Sequence, residues 1–425
     1  MHIAIIGNGI AGVTAARHLR KRDHDVQITL ISAESEYHWS RPSLMYVYMG
    51  HLRFEHTKPY EDRFWADNRI DRLRGWVRRI DTDSRTLHLD GDRTLRFDRL
   101  LLATGSVPNR FGWPGQDLQR VGGLYSLQDL QALEQATPQI ERGVIVGGGL
   151  IGIELAEMLH SRGLKATLLV REASYWNNVL PAEESALVNH WIRAAGLDLR
   201  LSTELDTIED DGRGGVGAVL TRSGERIACQ YVGLTAGVRP NIAVCEGSAV
   251  QTGRGILVDD TLQTSCEGIY AAGDCAEVQR PEGERNLIQA VWYTGRAMGE
   301  LVAANLLGER QPYQPGTWFN SAKFLDLEHQ VYGEVPSALR DDPSVRSVYW
   351  EHPSKRHSVR ICTRDGAVTG FNLMGVRYRQ EVCTRWIEEG RPLPYVLDNL
   401  RQASFDPEFS RRHERDIRRA AQELA

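Results

Sequence analysis

The sequence predicts an α/β protein with two Rossmann-like domains and a smaller α+β domain at its C-terminal end. Two observations predict this architecture. A strand, a glycine-rich turn and a helix occur in that order twice, and the composition changes at the prolines between residues 312 and 315. A chain of 425 residues is also longer than one ordinary domain, so two or three are expected.

The first strand–turn–helix copy covers residues 2–19 and the second covers residues 143–159. Each copy starts with an apolar, β-branched stretch, and each helix leads to a further strand, at residues 26–31 and 166–170. This order is the beginning of a βαβ unit in both places.

Both turns have the spacing G-x-G-x-x-G, formed by Gly7, Gly9 and Gly12 and then by Gly147, Gly149 and Gly152. The first glycine allows the tight turn, the second lets a pyrophosphate approach the backbone, and the third lets helix and strand pack closely. The first helical residues, whose N–H groups would meet the phosphates, are Ile10, Ala11, Leu150 and Ile151. Glycine turns without a nucleotide are the alternative, but the paired context favours two dinucleotide sites.

The section between the copies is rich in predicted strands. They lie at residues 73–80, 86–89, 94–97 and 100–103, and further strands follow the second copy at 232–236 and 269–272. A helix is predicted over residues 287–307, ending at Gly308.

Beyond residue 315 the pattern predicts an antiparallel meander of strands at 345–350, 358–362 and 367–374. A helix over 379–389 follows and ends at Gly390. The last twenty residues are charged, and a frayed surface helix is expected there.

Three further segments carry a family resemblance: residues 102–108 (Leu-Ala-Thr-Gly-Ser-Val-Pro), 237–241 (Gly-Val-Arg-Pro-Asn) and 269–274 (Ile-Tyr-Ala-Ala-Gly-Asp). In this order they resemble motifs of the pyridine nucleotide–disulfide oxidoreductase superfamily, over nearly the whole chain. The resemblance implies that the first glycine turn binds FAD and the second binds NADH or NADPH.

The segment Trp39-Ser40-Arg41-Pro42-Ser43-Leu44 resembles one branch of that superfamily: rubredoxin reductases, ferredoxin reductases and apoptosis-inducing factor. That branch lacks the adjacent redox cysteines of glutathione reductase. Arg41 and Pro42 would then lie beside the FAD. Relatives commonly carry a lysine near flavin N5 after the leucine, whereas Met45 and Tyr46 stand here. The surroundings of N5 therefore cannot be carried over.

An acid about twenty residues after the glycine turn usually binds the adenosine ribose, and Glu34 fits this position, with Glu36 as the fallback. The remaining residues expected to bind cofactor follow from the resemblance: Val77, Ala103, Thr104, Gly105, Gly237, Gly273, Asp274, Ala290 and Val291. The helix that begins near residues 289–293 would stabilise charge on the reduced flavin. Trp292 and Tyr293 are either flavin contacts or core residues. Trp318, Phe319, Lys323 and Phe324 would face the flavin in the family arrangement.

The preferred coenzyme depends on Arg171 and Glu172, which follow the strand of the second copy. A carboxylate there binds a ribose 2′-hydroxyl, whereas an arginine binds a 2′-phosphate. Both are present, and Gly152 resembles NADH-type sequences, so NADH is slightly favoured.

Composition gives no indication of nucleic acid, membrane or metal. The net charge is −5, no apolar run reaches the length of a membrane span, and the thirteen histidines form no H-E-x-x-H pattern. The chain opens directly with a strand, so no secretory leader is expected. Six cysteines without C-x-x-C spacing suggest reduced thiols and a cytoplasmic protein. Cys275 and Cys383 are either redox-active or small buried residues.

The expected function is an FAD-dependent NAD(P)H oxidoreductase that passes electrons to an unidentified acceptor: a small redox protein such as rubredoxin or ferredoxin, a quinone or an oxygen species. No side chain is expected to act as acid or base in hydride transfer. The alternative is an NAD(P)H-responsive flavoprotein whose redox state controls partner binding. The expected FAD domain comprises 1–118 and 240–313, the NAD(P)H domain 119–239, and the C-terminal interface domain 314–425, with a homodimer as the assembly.

Overall fold

The computed structural model of the protein describes residues 1–338, 342–406, 408 and 411–423. The helices are α1 (Ile10–Arg22), α2 (Leu44–Tyr48), α3 (Phe64–Asp67), α4 (Leu127–Ala136), α5 (Leu150–Ser161), α6 (Ala182–Ala194), α7 (Trp292–Leu306), α8 (Gln380–Glu388), α9 (Leu393–Ala403) and α10 (Glu414–Glu423). Among the helices of these ranges, none is long and apolar enough to cross a membrane.

The strands are β1 (His2–Ile6), β2 (Gln27–Ser32), β3 (Ile70–Arg74), β4 (Val77–Asp81), β5 (Thr86–Leu89), β6 (Thr94–Arg96), β7 (Arg99–Leu102), β8 (Ser106–Pro108), β9 (Val121–Gly122), β10 (Arg142–Val146), β11 (Lys165–Leu169), β12 (Asp198–Arg200), β13 (Leu205–Asp210), β14 (Val216–Thr221), β15 (Arg226–Ala228), β16 (Tyr231–Leu234), β17 (Val238–Pro240), β18 (Ile256–Val258), β19 (Ile269–Ala271), β20 (Ala276–Val278), β21 (Phe319–Phe324), β22 (Leu327–Gly333), β23 (Val345–Glu351), β24 (Ser358–Arg364) and β25 (Ala367–Met374).

The chain forms two compact units. The first contains Met1–Asn109, Gly123–Gln135 and Gly237–Pro315, and the second contains Arg110–Gly122, Ala136–Ala236 and Gly316–Ala425.

The first unit is built on a parallel sheet of five strands in the order β19-β7-β1-β2-β3. The apolar residues of β1 and β7 are almost completely buried, as expected for central strands covered on both faces. Helices α1 and α7 pack against each other, and Gly299 makes the close contact possible. A Cβ atom at Gly299 would lie 2.4 Å from the carbonyl oxygen of Ala11. Strand β7 pairs in parallel with β1 and β19, and its leucines are buried, so the buried parallel strand predicted at 100–103 is confirmed.

The second unit contains an equivalent parallel sheet in the order β12-β11-β10-β16-β9. A separate antiparallel sheet, β21-β22-β25-β24-β23, forms the C-terminal part of this unit. The predicted meander, with its three strands and the following helix α8, is confirmed. The predicted α/β class is confirmed as well.

A buried ion pair joins the C-terminal sheet to helix α6 within the second unit. The guanidinium of Arg360 on β24 donates two hydrogen bonds, of 2.7 and 2.9 Å, to the carboxylate of Glu184. It donates a third, of 2.7 Å, to Glu183. Burial lowers the pKa of Arg360, but the hydrogen bond and charge of Glu184 outweigh it and raise the pKa above its ordinary value. A buried charge held by two carboxylates fixes the relative position of these elements, because removing either partner would leave the other unpaired.

Two sequence-based expectations need correction. Helix α7 begins at Trp292, not near residue 287, because the backbone of Leu287 exchanges two hydrogen bonds with Val278. The charged tail forms α10, but it is not a frayed surface helix. Ile417 and Ala421 are buried, and Arg418 donates to the carbonyl oxygen of Leu397 at 2.8 Å.

The contact at Gly299 leads to a testable prediction. In the Gly299→Ala variant the added methyl group meets backbone atoms that cannot rotate away, so we expect a loss of about 1–3 kcal/mol of stability. Thermal and urea unfolding of the full chain measure it. Ala297 lies exposed on the same helix, so Ala297→Ser should change stability by no more than about 0.5 kcal/mol. Equal effects of the two substitutions would contradict the proposed packing constraint.

Candidate dinucleotide sites

The three glycines of the first turn have distinct spatial requirements. Gly7 has φ +113°, and a Cβ atom on it would lie 2.0 Å from the carbonyl oxygen of Ala103. A Cβ atom on Gly12 would lie 2.0 Å from the carbonyl oxygen of Gly7. At Gly9, by contrast, no atom lies within 4 Å of the Cβ position among the described residues. The first and third glycines are therefore needed for packing, and the second borders an open space.

The second turn repeats this geometry. Gly147 has φ +131°, and its Cβ position is 2.5 Å from the carbonyl oxygen of Thr235. The Cβ position of Gly152 is 2.7 Å from the carbonyl oxygen of Gly147, whereas within the described ranges nothing lies within 4 Å of that of Gly149. The hydroxyl of buried Tyr175 donates a 2.7 Å hydrogen bond to the carbonyl oxygen of Gly149 and holds the turn.

Three helices begin without a side-chain cap from the residue that precedes them. Helix α1 follows Gly9, α5 follows Gly149 and α7 follows Val291, and none of these three residues makes a side-chain cap hydrogen bond. Free N–H groups and the positive end of the helix dipole attract phosphate or other anionic groups. The residues predicted at these helix starts were Ile10, Ala11, Leu150, Ile151, Ala290 and Val291. The structure places all of them in the first turns or directly before them.

A half-buried arginine, Arg41, contacts Glu34, Trp39 and Tyr125. Arg41 donates hydrogen bonds of 3.1 and 2.6 Å to the carboxylate of Glu34 and a further one to the carbonyl oxygen of Tyr125. Its guanidinium lies between the rings of Trp39 and Tyr125, at 4.7 and 4.6 Å from their centroids. Burial opposes the charge, but the hydrogen bond and charge of Glu34 raise the pKa of Arg41 above its ordinary value. Glu34, predicted to bind ribose, also accepts from the backbone N–H of Leu127 at 2.9 Å.

The same network continues to Asp274. The hydroxyl of Tyr125 accepts a hydrogen bond of 3.0 Å from the backbone N–H of Ser106, and the hydroxyl of Ser106 donates one of 3.0 Å to Asp274. Burial raises the pKa of Asp274, while the hydrogen bond from Ser106 and the charge of Arg41 lower it. Three polar residues predicted separately, Glu34, Arg41 and Asp274, thus belong to one chain of contacts. Tyr125 and Ser106, which connect them, were missed.

The motif segments 102–108 and 237–241 are joined by hydrogen bonds. The hydroxyl of Thr104 donates a 2.6 Å hydrogen bond to the carbonyl oxygen of Asn241, and the N–H of Asn241 donates to Gly105 at 2.9 Å. The N–H of Asn109 donates to the carbonyl oxygen of Gly237, and β8 and β17 pair in an antiparallel manner between these contacts. Two predicted residues stand apart: Pro42 is exposed beside Arg41, and Val77 is buried in the core of the first unit.

The two residues expected to choose the coenzyme form an ion pair. Arg171 donates hydrogen bonds of 2.7 and 3.2 Å to one carboxylate oxygen of Glu172. The side chain of Arg171 is 71% exposed and that of Glu172 is 33% exposed. The hydrogen bond and charge of Glu172 raise the pKa of Arg171. The carboxylate of Glu172 is therefore less exposed than the guanidinium of Arg171, and it partly compensates the charge of Arg171.

Residues 1–298 match the model of the family described as pyridine nucleotide-disulphide oxidoreductase. The chain belongs to this family. It is 32% identical to the ferredoxin–NAD(+) reductase component of the biphenyl dioxygenase system of Paraburkholderia xenovorans (strain LB400), over 91% of this chain and 92% of that one. It is also 32% identical to the ferredoxin reductase component of chlorobenzene dioxygenase of Cupriavidus sp. (strain PS12), over 75% of this chain and 77% of that one.

Among solved structures, the covalent putidaredoxin reductase–putidaredoxin complex matches with a TM-score of 0.83 and 23% identity, over 99% of both chains. This likeness confirms the fold. With the family shown, the protein is an FAD-dependent NAD(P)H oxidoreductase. Its residues fit two dinucleotides, because each turn leaves open space at its second glycine in front of a free helix end.

The oxidoreductase contains a further titratable residue that the sequence gave no reason to select, Glu154 on α5. Burial and the nearby charge of Glu157 together raise the pKa of Glu154 to about 7, although Lys323 lowers it. Lys323 forms a 2.6 Å ion pair with Glu157. An isolated glutamate in a helix gives no signal of this kind in a sequence, since the effect depends on which elements cover it.

The cysteines and aromatic residues weighed above can now be assigned to environments. Cys275 is buried and its thiol donates to the carbonyl oxygen of Leu102 at 3.4 Å; burial raises its pKa, which disfavours a reactive thiolate. Burial raises the pKa of Cys383 in the same way. Trp292 and Tyr293 are 39% and 41% exposed, so the interpretation as core residues is wrong.

The expectation for Phe324 is also wrong. Its side chain is fully buried within the second unit, against the rings of Trp176 and His329, and therefore does not line an open site. Alternation along β21 explains the difference, because neighbouring residues of a strand point to opposite faces.

The shifted carboxyl group predicts a pH dependence of stability. The pKa of Glu154 rises from 4.5 to about 7 on folding, so the folded state binds the proton more tightly. Stability then falls as pH rises from about 4.5 through about 7, by at most about 3 kcal/mol. We expect Glu154→Gln to stabilise the protein at pH 8.5 but hardly at pH 5, as measured by urea unfolding. Glu141→Gln, at an exposed position, is the control, and a Glu154→Gln effect independent of pH would refute the prediction.

Proposed function

We propose that this oxidoreductase takes hydride from NADH in preference to NADPH and passes electrons to a small ferredoxin-like carrier protein. The observation that carries the choice of acceptor is the similarity, over more than nine tenths of both chains, to a relative named as a ferredoxin–NAD(+) reductase. The cysteine environments support it, since the described cysteines are free and only Cys266 among them is not buried. Delivery of electrons through a dithiol is therefore disfavoured.

We propose the following roles for the chain's own residues at the FAD. The turn formed by Gly7, Gly9 and Gly12 and the start of α1 bind the pyrophosphate. Glu34, Arg41 and Asp274 orient the ribose, the diphosphate and the ribityl chain, because their mutual contacts already hold them in place. The start of α7, at Ala290 and Val291, would stabilise negative charge on the reduced flavin. Held by these residues, FAD would supply the capacity to take up a hydride and to pass electrons on, which no side chain provides.

On the coenzyme side, the turn formed by Gly147, Gly149 and Gly152 and the start of α5 bind the pyrophosphate of NADH in this proposal. Glu172 accepts the hydrogen bonds of the adenosine ribose hydroxyls. The ion pair with Glu172 keeps Arg171 from acting as a free cation toward a 2′-phosphate.

The remaining expectations stay proposals. The domain boundaries are 1–118 with 240–313, 119–239 and 314–425. A homodimer formed through the C-terminal domain rests on the family resemblance, and a cytoplasmic location is supported by the free thiols of the described cysteines.

Gly9→Val and Gly149→Val test the two turns separately. Neither position has a positive φ or a neighbour at its Cβ position, so both variants should fold. We expect Gly9→Val to be purified without the visible flavin band. Gly149→Val should retain the band, but NADH should fail to bleach it in an anaerobic titration. Unfolding temperature is the control for folding.

In the same experiment, NADH should bleach the wild-type protein, and a [2Fe–2S] ferredoxin should restore the band faster than menadione or dioxygen does. Bleaching of Gly149→Val at the wild-type rate would contradict the assignment of the second turn. Faster recovery with menadione or dioxygen would contradict the proposed acceptor.

Substitution of Glu172 tests coenzyme choice. Glu172→Gln removes the repulsion of a 2′-phosphate and frees Arg171, so we expect the ratio of kcat/KM for NADPH to that for NADH to rise about tenfold or more, the scale of a charge-assisted hydrogen bond. Arg171→Ala is the matched variant and should lower that ratio. A preference for NADPH in the wild type that Arg171→Ala removes would show that the lean to NADH is wrong.

A further inference from the structure

Three histidines meet in the C-terminal domain, away from both glycine turns in the chain. His352 follows β23, His357 precedes β24 and His413 directly precedes α10. Their ring centroids are 5.7 Å apart for His352 and His357, 5.5 Å for His352 and His413, and 5.0 Å for His357 and His413. We call these three residues the histidine cluster. The ring of Trp350 lies 4.7 Å from that of His413.

Ser354 holds one ring of the cluster in place. Nδ1 of His352 accepts a 3.1 Å hydrogen bond from the backbone N–H of Ser354 and lies 2.7 Å from the hydroxyl of the same residue. Nδ1 of His357 is buried and, within the described ranges, has no hydrogen-bond partner. Burial lowers the pKa of His357, and His413 and His352 lower it further; burial and His352 lower the pKa of His413 as well.

Other charged groups around the cluster come from each neighbouring element. On the hairpin between β23 and β24, Arg356 adds positive charge, while Lys355 is paired with Glu351 of β23 at 2.6 Å. The hairpin also contacts α6, where Trp191 donates to the carbonyl oxygen of Lys355.

On the side of α10, Arg411 adds positive charge, while Glu414 and Asp416 partly offset it. The two carboxylates oppose the shift, but burial, the largest cause, keeps the pKa of His413 below its ordinary value. A second imidazolium in the cluster would be repelled by the first and by the charges of the two arginines.

The cluster also determines where α10 begins. The carbonyl oxygen of His413 accepts the N–H groups of Asp416 and Ile417, at 3.1 and 3.0 Å, and so forms the first turn of the helix. One turn later, Ile417 lies in the core that contains Trp386 and Leu400. The position of the His413 ring is therefore coupled to the docking of the whole helix.

We propose that the histidine cluster is a proton-sensitive latch that holds α10 on the C-terminal domain when its rings are neutral and releases α10 when more than one ring is protonated. Neutral rings pack against one another and against Trp350. The face of Trp350 stabilises one imidazolium, but imidazolium rings about 5 Å apart repel one another.

Hydrogen–deuterium exchange of the FAD-loaded full chain tests the latch, at pH 7.5 and 5.5 with correction for intrinsic exchange rates. We expect protection of the amides in α10 to fall about tenfold or more at pH 5.5, while α9 keeps its protection. His413→Phe retains an aromatic ring that cannot be protonated, so its α10 protection should be the same at both pH values. His160→Phe, at an exposed position on α5, should behave like the wild type.

Two results would overturn the proposal: equal protection of α10 at both pH values in the wild type, or an undiminished loss in His413→Phe. If His413→Phe fails to fold at pH 7.5, His352→Gln takes its place, because glutamine can accept the hydrogen bond from Ser354 but does not titrate. Undiminished pH sensitivity in His352→Gln would then overturn the latch, and a reduced sensitivity would support it.

Discussion

A Cβ atom at Gly7 would lie 2.0 Å from a carbonyl oxygen of the neighbouring strand end, and one at Gly12 would lie 2.0 Å from the carbonyl oxygen of Gly7. These two contacts let β1, β7 and α1 approach more closely than side chains would allow, and they direct the free N–H groups of α1 to the open space beside Gly9. Gly299 then lets α7 lie against α1. The positions of two helix N-termini in the first unit, those of α1 and α7, therefore depend on glycine at residues 7, 12 and 299. The second unit obtains its own free helix end in the same way, from Gly147 and Gly152.

Partial burial of Arg41 imposes a second constraint on the first unit. A guanidinium removed from water needs partners in several directions; Glu34 supplies a carboxylate, Tyr125 a carbonyl oxygen and a ring, and Trp39 a second ring. Tyr125 also contacts Ser106, which donates to Asp274. Burial raises the pKa of Asp274 above its ordinary value, and the hydrogen bond from Ser106 and the charge of Arg41 offset only part of that rise. The acidic residues that would orient a dinucleotide are thus held in place before any ligand arrives.

Much of this arrangement is encoded locally and could be predicted. The spacing of Gly7, Gly9 and Gly12 directly indicates a tight turn between a strand and a helix. The residue patterns of the C-terminal meander likewise indicate its strands. What could not be predicted depends on distant parts of the chain. Tyr125 reaches Arg41 across 84 residues, and the start of α7 shifts because Leu287 pairs with Val278. The raised pKa of Glu154 is invisible in the sequence, because it arises from the elements that bury it.

The C-terminal sheet and helices are held by two kinds of contact that respond differently to protons. Arg360 and Glu184 are joined by two hydrogen bonds, and the pKa of Arg360 is raised, so Arg360 keeps its charge in the range where histidines titrate. By contrast, the contact of His413 with His352 and His357 holds in the proposed latch only while no more than one of the three rings is protonated. Mild acidification therefore weakens the attachment of α10 while the sheet that carries Arg360 stays fixed to α6. In the proposed latch, acid therefore releases the terminal helix while the sheet keeps its position. Apolar packing alone would not give this difference, because apolar side chains do not titrate.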